Sequence, residues 1–470
     1  MLNKNVNNTL DSATKAQRIP VTNISTPTSS RKIHIREQKG QFQQLRTGMN
    51  SLLVALFFLL PFISFDGRQA ILFDLSQQQF IFFGTTLWPQ DFTILAWVFI
   101  AAAFLLFFVT VFWGRVWCGY LCPQTAWTFI YVWIETRIEG NRNKRYALDK
   151  APWGSDKLKK RVLKHTAWGA IALLTGCGFI AYFVPARELY IDIFSFSASF
   201  WITAWVWFFA ICTYLNAGWM REQMCLHCCP YARFQSAMFD ANTKTVTYDA
   251  ARGESRGPRK RNEASALGDC VDCNLCVDVC PTGIDIRNGL QYECINCGAC
   301  VDACNQTMQK FAYQPNLISY TSENTLAGKA EPFYESYKFL AYGIAALIMI
   351  SVIAVDIYNR NNIELNVLRD RQSLYRETLD DKVENSFTLK IRNKTQQTRL
   401  YRIYVSGNSA YRLMGEVDLK IHPGEQLDYP VTVVALPELL DSARNDITFT
   451  VAEQHNYSQA SQESSFFAPI

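Results

Sequence analysis

Apolar residues in this chain follow two patterns, long unbroken runs as far as about residue 355 and short alternations beyond residue 360. The run Phe92–Trp113 contains no charged side chain and exceeds the ~20 residues that a helix needs to cross a bilayer. Stretches 166–184, 199–219 and 339–355 have the same character. A fifth, 48–65, is interrupted by Asn50, Pro61 and Ser64 and is also expected to span. It lies too far from the start for a secretory signal, whose apolar core comes much nearer the N-terminus. After residue 360, segments 386–392, 398–405, 429–434 and 447–451 alternate with a period of two, and turn signals stand at 406–408 and 422–424. A region of this size and pattern predicts a seven-strand β-sandwich of immunoglobulin type, with a barrel as the competing arrangement. His422 and His455 are isolated there and mark no catalytic group.

Charge placement orients the spans, because short loops rich in Lys and Arg stay in the cytoplasm. Residues 1–48 carry eight Lys/Arg against Asp11 and Glu37, and 114–165 carry eleven against four acids. Segment 66–91 holds only Arg68 against Asp66, Asp74 and Asp91. The N-terminus is therefore expected inside, the segment between the fourth and fifth spans inside, and the C-terminal region outside. The sequence pI near 8.4 follows from this asymmetry, so nucleic acid is not expected as a partner. A basic cytoplasmic face suits anionic lipid or an acidic donor protein.

All 15 cysteines lie between Cys118 and Cys304, which leaves the expected exported region without disulfides. Eight form two successive runs, Cys270, Cys273, Cys276, Cys280 followed by Pro281, and Cys294, Cys297, Cys300, Cys304. This is the spacing of a two-cluster bacterial ferredoxin, where three thiolates of one run and the fourth of the other hold each [4Fe–4S] cube. One cube is expected on Cys270, Cys273, Cys276 and Cys304, the other on Cys294, Cys297, Cys300 and Cys280. Zinc sites usually separate two Cys pairs by a longer insert and need no third cysteine. Asn305 stands where a proline often follows the fourth cysteine, which bears on the rigidity and potential of that cluster.

Two further pairs repeat one motif, Cys118-x-x-x-Cys122-Pro123 after Arg115 and Cys225-x-x-x-Cys229-Pro230 after Arg221, each at the end of an expected span. Proline at the first helical position would place Cys122 and Cys229 at helix N-caps. The exposed amides and a neighbouring arginine are expected to lower a thiol pKa there and suit it to soft metals or redox exchange. Cys177 and Cys212 are solitary and read as small hydrophobes. His227 and Cys228 have no counterparts in the first motif.

Segment 66–74, Trp88-Pro-Gln-Asp91 and Trp117-Cys-Gly-Tyr-Leu-Cys-Pro-Gln124 closely resemble the FixG/CcoG (RdxA) family of bacterial membrane polyferredoxins, cytochrome c oxidase accessory proteins. The resemblance extends over 221–239, the ferredoxin cysteines and the β-rich tail. Looser relatives of the NapH and NosR type share the thiol pairs and clusters but not segment 66–74 or the C-terminal domain. The resemblance implies a multi-domain inner-membrane protein of five transmembrane helices, a cytoplasmic 2[4Fe–4S] ferredoxin and a periplasmic immunoglobulin-like sandwich. It implies reduction of Cu(II) to Cu(I), with copper as substrate, in the assembly of cbb3-type oxidase; beside it, the repeated motif makes Cys118, Cys122, Cys225 and Cys229 the expected thiols that receive the electrons. Alternatives are an electron conduit to a quinone or partner oxidoreductase, and a non-enzymatic assembly factor. Expected partners are the bilayer, a cytoplasmic electron donor, oxidase subunits or copper carriers, and a second copy in a homodimer. An external donor is expected because no Gly-x-Gly-x-x-Gly follows a strand.

The expected domains are a flexible tail (1–47), a four-helix membrane domain (48–219), the second thiol motif with a linker (220–263), the ferredoxin (264–315), a fifth span (338–357) and the sandwich (360–470).

Overall fold

The computed structural model describes residues 33–469 apart from 66, 84, 259–266, 330–331, 360, 371–372, 379, 396, 408–410, 441 and 455–457. Residues 1–32 of the expected tail, Asp66 and His455 thus lie outside the described residues. Four described helices are long and apolar enough to cross a membrane: Gln41–Phe62, Phe92–Trp113, Phe200–Met220 and Tyr337–Tyr358. The expected stretch 166–184 falls largely in the helix Ser155–Ile180, whose first half is strongly basic. Helix Phe200–Thr213 starts at Ser199, whose hydroxyl accepts from the Ile202 amide at 3.4 Å. It then continues as a π-helix over Tyr214–Met220, a wider winding that often accompanies functional sites.

Helix Phe92–Trp113 ties two ends of the molecule together. Its 22 residues measure about 33 Å at 1.5 Å per residue. At its N-terminal end, Lys394 of the C-terminal domain pairs with Asp91 at 3.0 Å, and Arg392 lies 4.1 Å from the Trp88 ring centroid. The small antiparallel sheet of Ile71–Asp74, Gln79–Phe82 and Thr85–Leu87 is at this end. So are residues 181–186, through Gln69 to the Ala181 carbonyl at 2.7 Å and Phe73 to the Tyr182 carbonyl at 2.7 Å. At the C-terminal end, Asn296 of the second cysteine run donates its side-chain amide to the Trp113 carbonyl at 3.3 Å. Glu139, which takes Arg161 at 3.1 Å, is three residues before Arg142, which pairs with Asp278 of the first cysteine run at 2.9 Å.

The first apolar helix begins at Gln41, seven residues before the expected span, because its polar first turn is anchored to the ferredoxin. Gly40 makes no side-chain cap. Instead Asp302 accepts from the Phe42 and Gln43 amides at 3.3 and 2.9 Å. This is an N-cap supplied from a distant segment, satisfying donors that a helix start leaves unpaired and contributing about 1 kcal/mol. A Cβ on Gly40 would lie 2.2 Å from the Asp302 carboxyl carbon. Residues 33–40 run extended against the ferredoxin, with the Arg36 amide bonded to the Asp278 carbonyl at 2.9 Å. This part of the expected tail is docked.

The ferredoxin fold is also wider than its cysteines. Strand Thr245–Tyr248, within the expected linker, pairs antiparallel with Ile318–Thr321 and closes the unit from both sides.

The C-terminal domain is a sandwich of two antiparallel sheets with nine described strands, two more than expected. One sheet orders Arg412–Met414, Gln426–Ala435, Val383–Asn393 and Ile363–Arg369, with Arg376–Glu377 also on Val383–Asn393. The other orders Asp418–Ile421, Arg399–Ser406, Arg444–Glu453 and Gln459–Phe467. Burial alternates residue by residue along Val383–Asn393, the signature of a strand with one face on a core. Phe387 and Phe449 meet between the sheets at 5.0 Å.

Candidate functional site: two cysteine runs against a thiol centre

In each run the backbone enters the left-handed region at the same two places, Asp272 and Asn274 in the first, Asn296 and Gly298 in the second, with φ between 51° and 72°. Asp, Asn and Gly tolerate this conformation best. Such turns point successive amides into one concavity, which suits the anionic sulfur of a cluster. One cavity, with about 360 Å³ free of protein atoms including space open to solvent, is lined by Cys270, Cys273, Cys276 and Cys304. The other, about 350 Å³, is lined by Cys280, Cys294, Cys297 and Cys300, with Cys276 at the wall between them. This is the grouping that crossed ligation requires. Burial pushes the thiols of Cys276, Cys294 and Cys304 up to about 12, so their thiolates call for a metal, which deprotonates a coordinating thiol outright. The residues fit a cube on each site. Among the described residues no three His, Cys, Asp or Glu side chains converge as for a single metal ion; a cube asks for less, since each thiolate binds a different iron.

Asn305 has a structural account. Without a proline, helix Ala299–Phe311 continues through Cys304, and the Asn305 side chain accepts from the Asn316 amide at 2.7 Å.

The repeated pairs lie beside this unit. Cys122 and Cys229 occupy the N-caps of helices Pro123–Glu139 and Pro230–Ala237, each with proline first and neither thiol making a cap hydrogen bond. Cys118 sits in the short helix Val116–Tyr120 and Cys225 in the π-helical Met224–Cys228. Cys118 feels the charges of Cys122, Cys225 and Cys229, so these three thiols lie within electrostatic reach of it, though no three of the four converge as for a single metal ion. Cys118 donates to Gln235 Oε1 at 3.3 Å, and the buried Gln235 donates to Thr110 at 3.2 Å. Burial, reinforced by the other thiols, raises Cys118 and Cys225 to about 12, with Arg115 opposing. At these two positions desolvation outweighs one arginine. Cys228 is exposed, and Cys177 is fully buried in an apolar cluster.

The arginines before the two motifs do different work. Arg115 is buried, donates to the Ala232 carbonyl and lies 4.7 Å from the Tyr292 ring centroid. Arg221 turns away from the thiols and binds Glu135 at 2.7 Å. Glu135, fully buried, also takes Arg145 at 3.2 Å and faces Lys164 at 3.8 Å, while Lys164 reaches Glu139 at 3.0 Å. Charge runs scattered over 135–221 gave no sign of this cluster. Asp302, Asn296 and Gln235 were equally unannounced, though the Asn and Gly at matching places in the runs were a readable signal.

Three family models match: a "4Fe-4S binding domain" over 95–138, a "4Fe-4S dicluster domain" over 220–323, and an "IG-like fold at C-terminal of FixG" over 353–469. The chain is similar to nitrogen fixation protein FixG of Rhizobium meliloti, 36% identical over 419 residues, 81% of this chain and 80% of that one. It is similar to protein RdxA of Cereibacter sphaeroides, 36% identical over 392 residues and covering 80% and 82%. Protein RdxB of the same organism is 34% identical over 415 residues, covering 85% and 84%. A crystal structure of a FixG-related protein from Vibrio parahaemolyticus aligns at 31% identity over 24% of this chain and 100% of that chain, with a TM-score of 0.22. With likeness above one third over four fifths of its length, and iron–sulfur domains joined to apolar helices and a β-sandwich, the chain belongs to the FixG/CcoG (RdxA) family.

Proposed function

We propose that this protein is a membrane-bound iron–sulfur oxidoreductase that reduces Cu(II) to Cu(I) for maturation of a cbb3-type cytochrome c oxidase. The observation that supports the reading is Cys118, within electrostatic reach of Cys122, Cys225 and Cys229, packed beside the second cysteine run. Cys270, Cys273, Cys276 and Cys304 would hold one [4Fe–4S] cube, and Cys280, Cys294, Cys297 and Cys300 the other. Bound cubes supply single electrons at low potential. The chain's own part is to gather soft donors, Cys118, Cys122, Cys225 and Cys229, in a site that favours Cu(I) over Cu(II). Gln235 orients the Cys118 thiol, and Arg115 offsets negative charge as the thiols ionise.

The ferredoxin faces the cytoplasm and an external donor; the sandwich faces the periplasm, where an oxidase subunit or copper carrier would dock. Helix Ser155–Ile180 is the fifth crossing on this reading. Support comes from its ends, since Arg161 meets Glu139 on the ferredoxin side while residues 181–186 join the small sheet on the sandwich side. Reporter fusions after Thr321 and after Asn361 are expected on opposite faces, and activity of a periplasm-only reporter at Thr321 would overturn the arrangement.

Purified holoprotein, reduced anaerobically and given Cu(II) with a Cu(I)-specific chelator, is expected to form the Cu(I) complex as the clusters reoxidise. Cluster oxidation by a quinone without Cu(I) formation would replace the copper reading with that of an electron conduit.

A further inference from the structure

The two cysteine runs are near copies of each other, yet the closest backbone approach of a thiol motif among the described residues falls on the second. Gly119, between Cys118 and Tyr120, lies so close to the second run that an added Cβ would fall 2.8 Å from the Ile295 carbonyl oxygen, 3.1 Å from the Asn296 oxygen and 3.1 Å from the Cys297 Cα. These are backbone atoms and cannot swing aside as a flexible side chain would. On one flank of Gly119, Cys118 packs against a hydrophobic patch of Val279, Ile295, Cys297, Ala299 and Ala303, most of it from the second run. On the other, the Tyr120 hydroxyl donates to the Cys297 carbonyl at 3.3 Å and meets the Tyr320 hydroxyl at 3.1 Å. The cavity of the first run is lined only by residues between 248 and 318, and its Cys273 is exposed.

Where the first motif has glycine after its leading cysteine, the second has Leu226.

We propose that Gly119 is a positioning residue that makes the cube on Cys280, Cys294, Cys297 and Cys300 the partner of the thiol centre, with Cys118 as the thiol that exchanges the electron. The cube on the first run, beside exposed Cys273, then faces the external donor. The inference rests on the assignment above of cubes to the cysteine runs and copper to the thiols. Per copper ion, one electron leaves the reduced second-run cube and reduces thiolate-bound Cu(II) to Cu(I), with no bond made or broken. A low-potential one-electron donor, dithionite in the experiment, restores it.

The test uses full-length holoprotein in anaerobic redox titrations followed by EPR, with the two cluster signals assigned by their loss in Cys297→Ser and Cys273→Ser. Gly119→Ala is expected to shift the g values and midpoint potential of the Cys297-dependent signal, because hydrogen bonding and exposure at the cluster set its potential. The Cys273-dependent signal should stay in place, and reoxidation of the other by Cu(II) should slow. Tyr120→Phe removes a hydroxyl without adding bulk, so it decides the matter if the alanine variant does not assemble. A change confined to the Cys273-dependent signal, or no change in either signal, overturns the proposal. The EPR shift needs no copper: if wild-type protein forms no Cu(I) but the shift appears, the copper reading fails and the contact stands.

Discussion

With Cys122 and Cys229 both replaced by serine, both clusters are expected to assemble while most Cu(II) reduction disappears. Both residues are N-caps whose thiols make no cap hydrogen bond. Serine is among the best N-cap residues, and its hydroxyl can take the free amides of the first turn for a gain of about 1 kcal/mol. Fold and insertion therefore survive. The chemistry does not, because a serine hydroxyl stays protonated and is a poor ligand for Cu(I). Cys118 and Cys225 remain but are half-buried thiols raised to about 12, which leaves them mostly protonated unless a metal draws the proton off. Iron content and visible absorbance establish loading before rates are compared. Undiminished Cu(I) formation in a fully loaded double variant would mean that copper takes its electron without these caps.

Glu135→Ala is expected to cost about 3–5 kcal/mol, the range for removing one partner of a buried charge pair. Its carboxylate is fully buried and holds Arg145 and Arg221 directly, with Lys164 close by. Alanine leaves these cations facing one another with Glu139 as the remaining acid among them, and Glu139 is already engaged by Lys164 and Arg161. The damage should reach the thiol centre, because Glu135 belongs to the helix that Cys122 caps and Arg221 stands four residues before Cys225. Protease resistance and thermal inactivation of purified protein should both fall sharply, with Glu135→Gln intermediate since it keeps the shape and part of the hydrogen bonding. An alanine variant as resistant as the parent would show that water or local relaxation already screens the cluster.

The features legible in the sequence were those written in local patterns. Phe92–Trp113 forms a helix over the expected residues because its apolar run has sharp ends, Asp91 before it and Gly114 after. The cysteine runs are equally local, since ligand spacing is set by one cube. Strand Gln459–Phe467 is hard to read in the sequence because its inward face includes Gln462 and Ser464, which blur the alternation. Gln41–Gly48 is hard to read for another reason: its polar residues become helical only because Asp302, far along the chain, completes the first turn. The Glu135 cluster depends on four segments that meet only in three dimensions. Gly119 was visible inside its motif, but nothing in the neighbouring residues says what backbone lies opposite.

The cap on the first helix also sets an order of events. Gln43 and Asp302 are separated by 259 positions, and domains generally form from the N-terminus as the chain is made. The first apolar helix therefore enters the membrane with its leading turn unfinished, and the missing carboxylate arrives only when the segment between Cys300 and Cys304 has folded. Those two cysteines line different cavities, so the cap reaches its place together with the sites for both cubes. A chain in which this segment stays unfolded would leave the start of its first helix open.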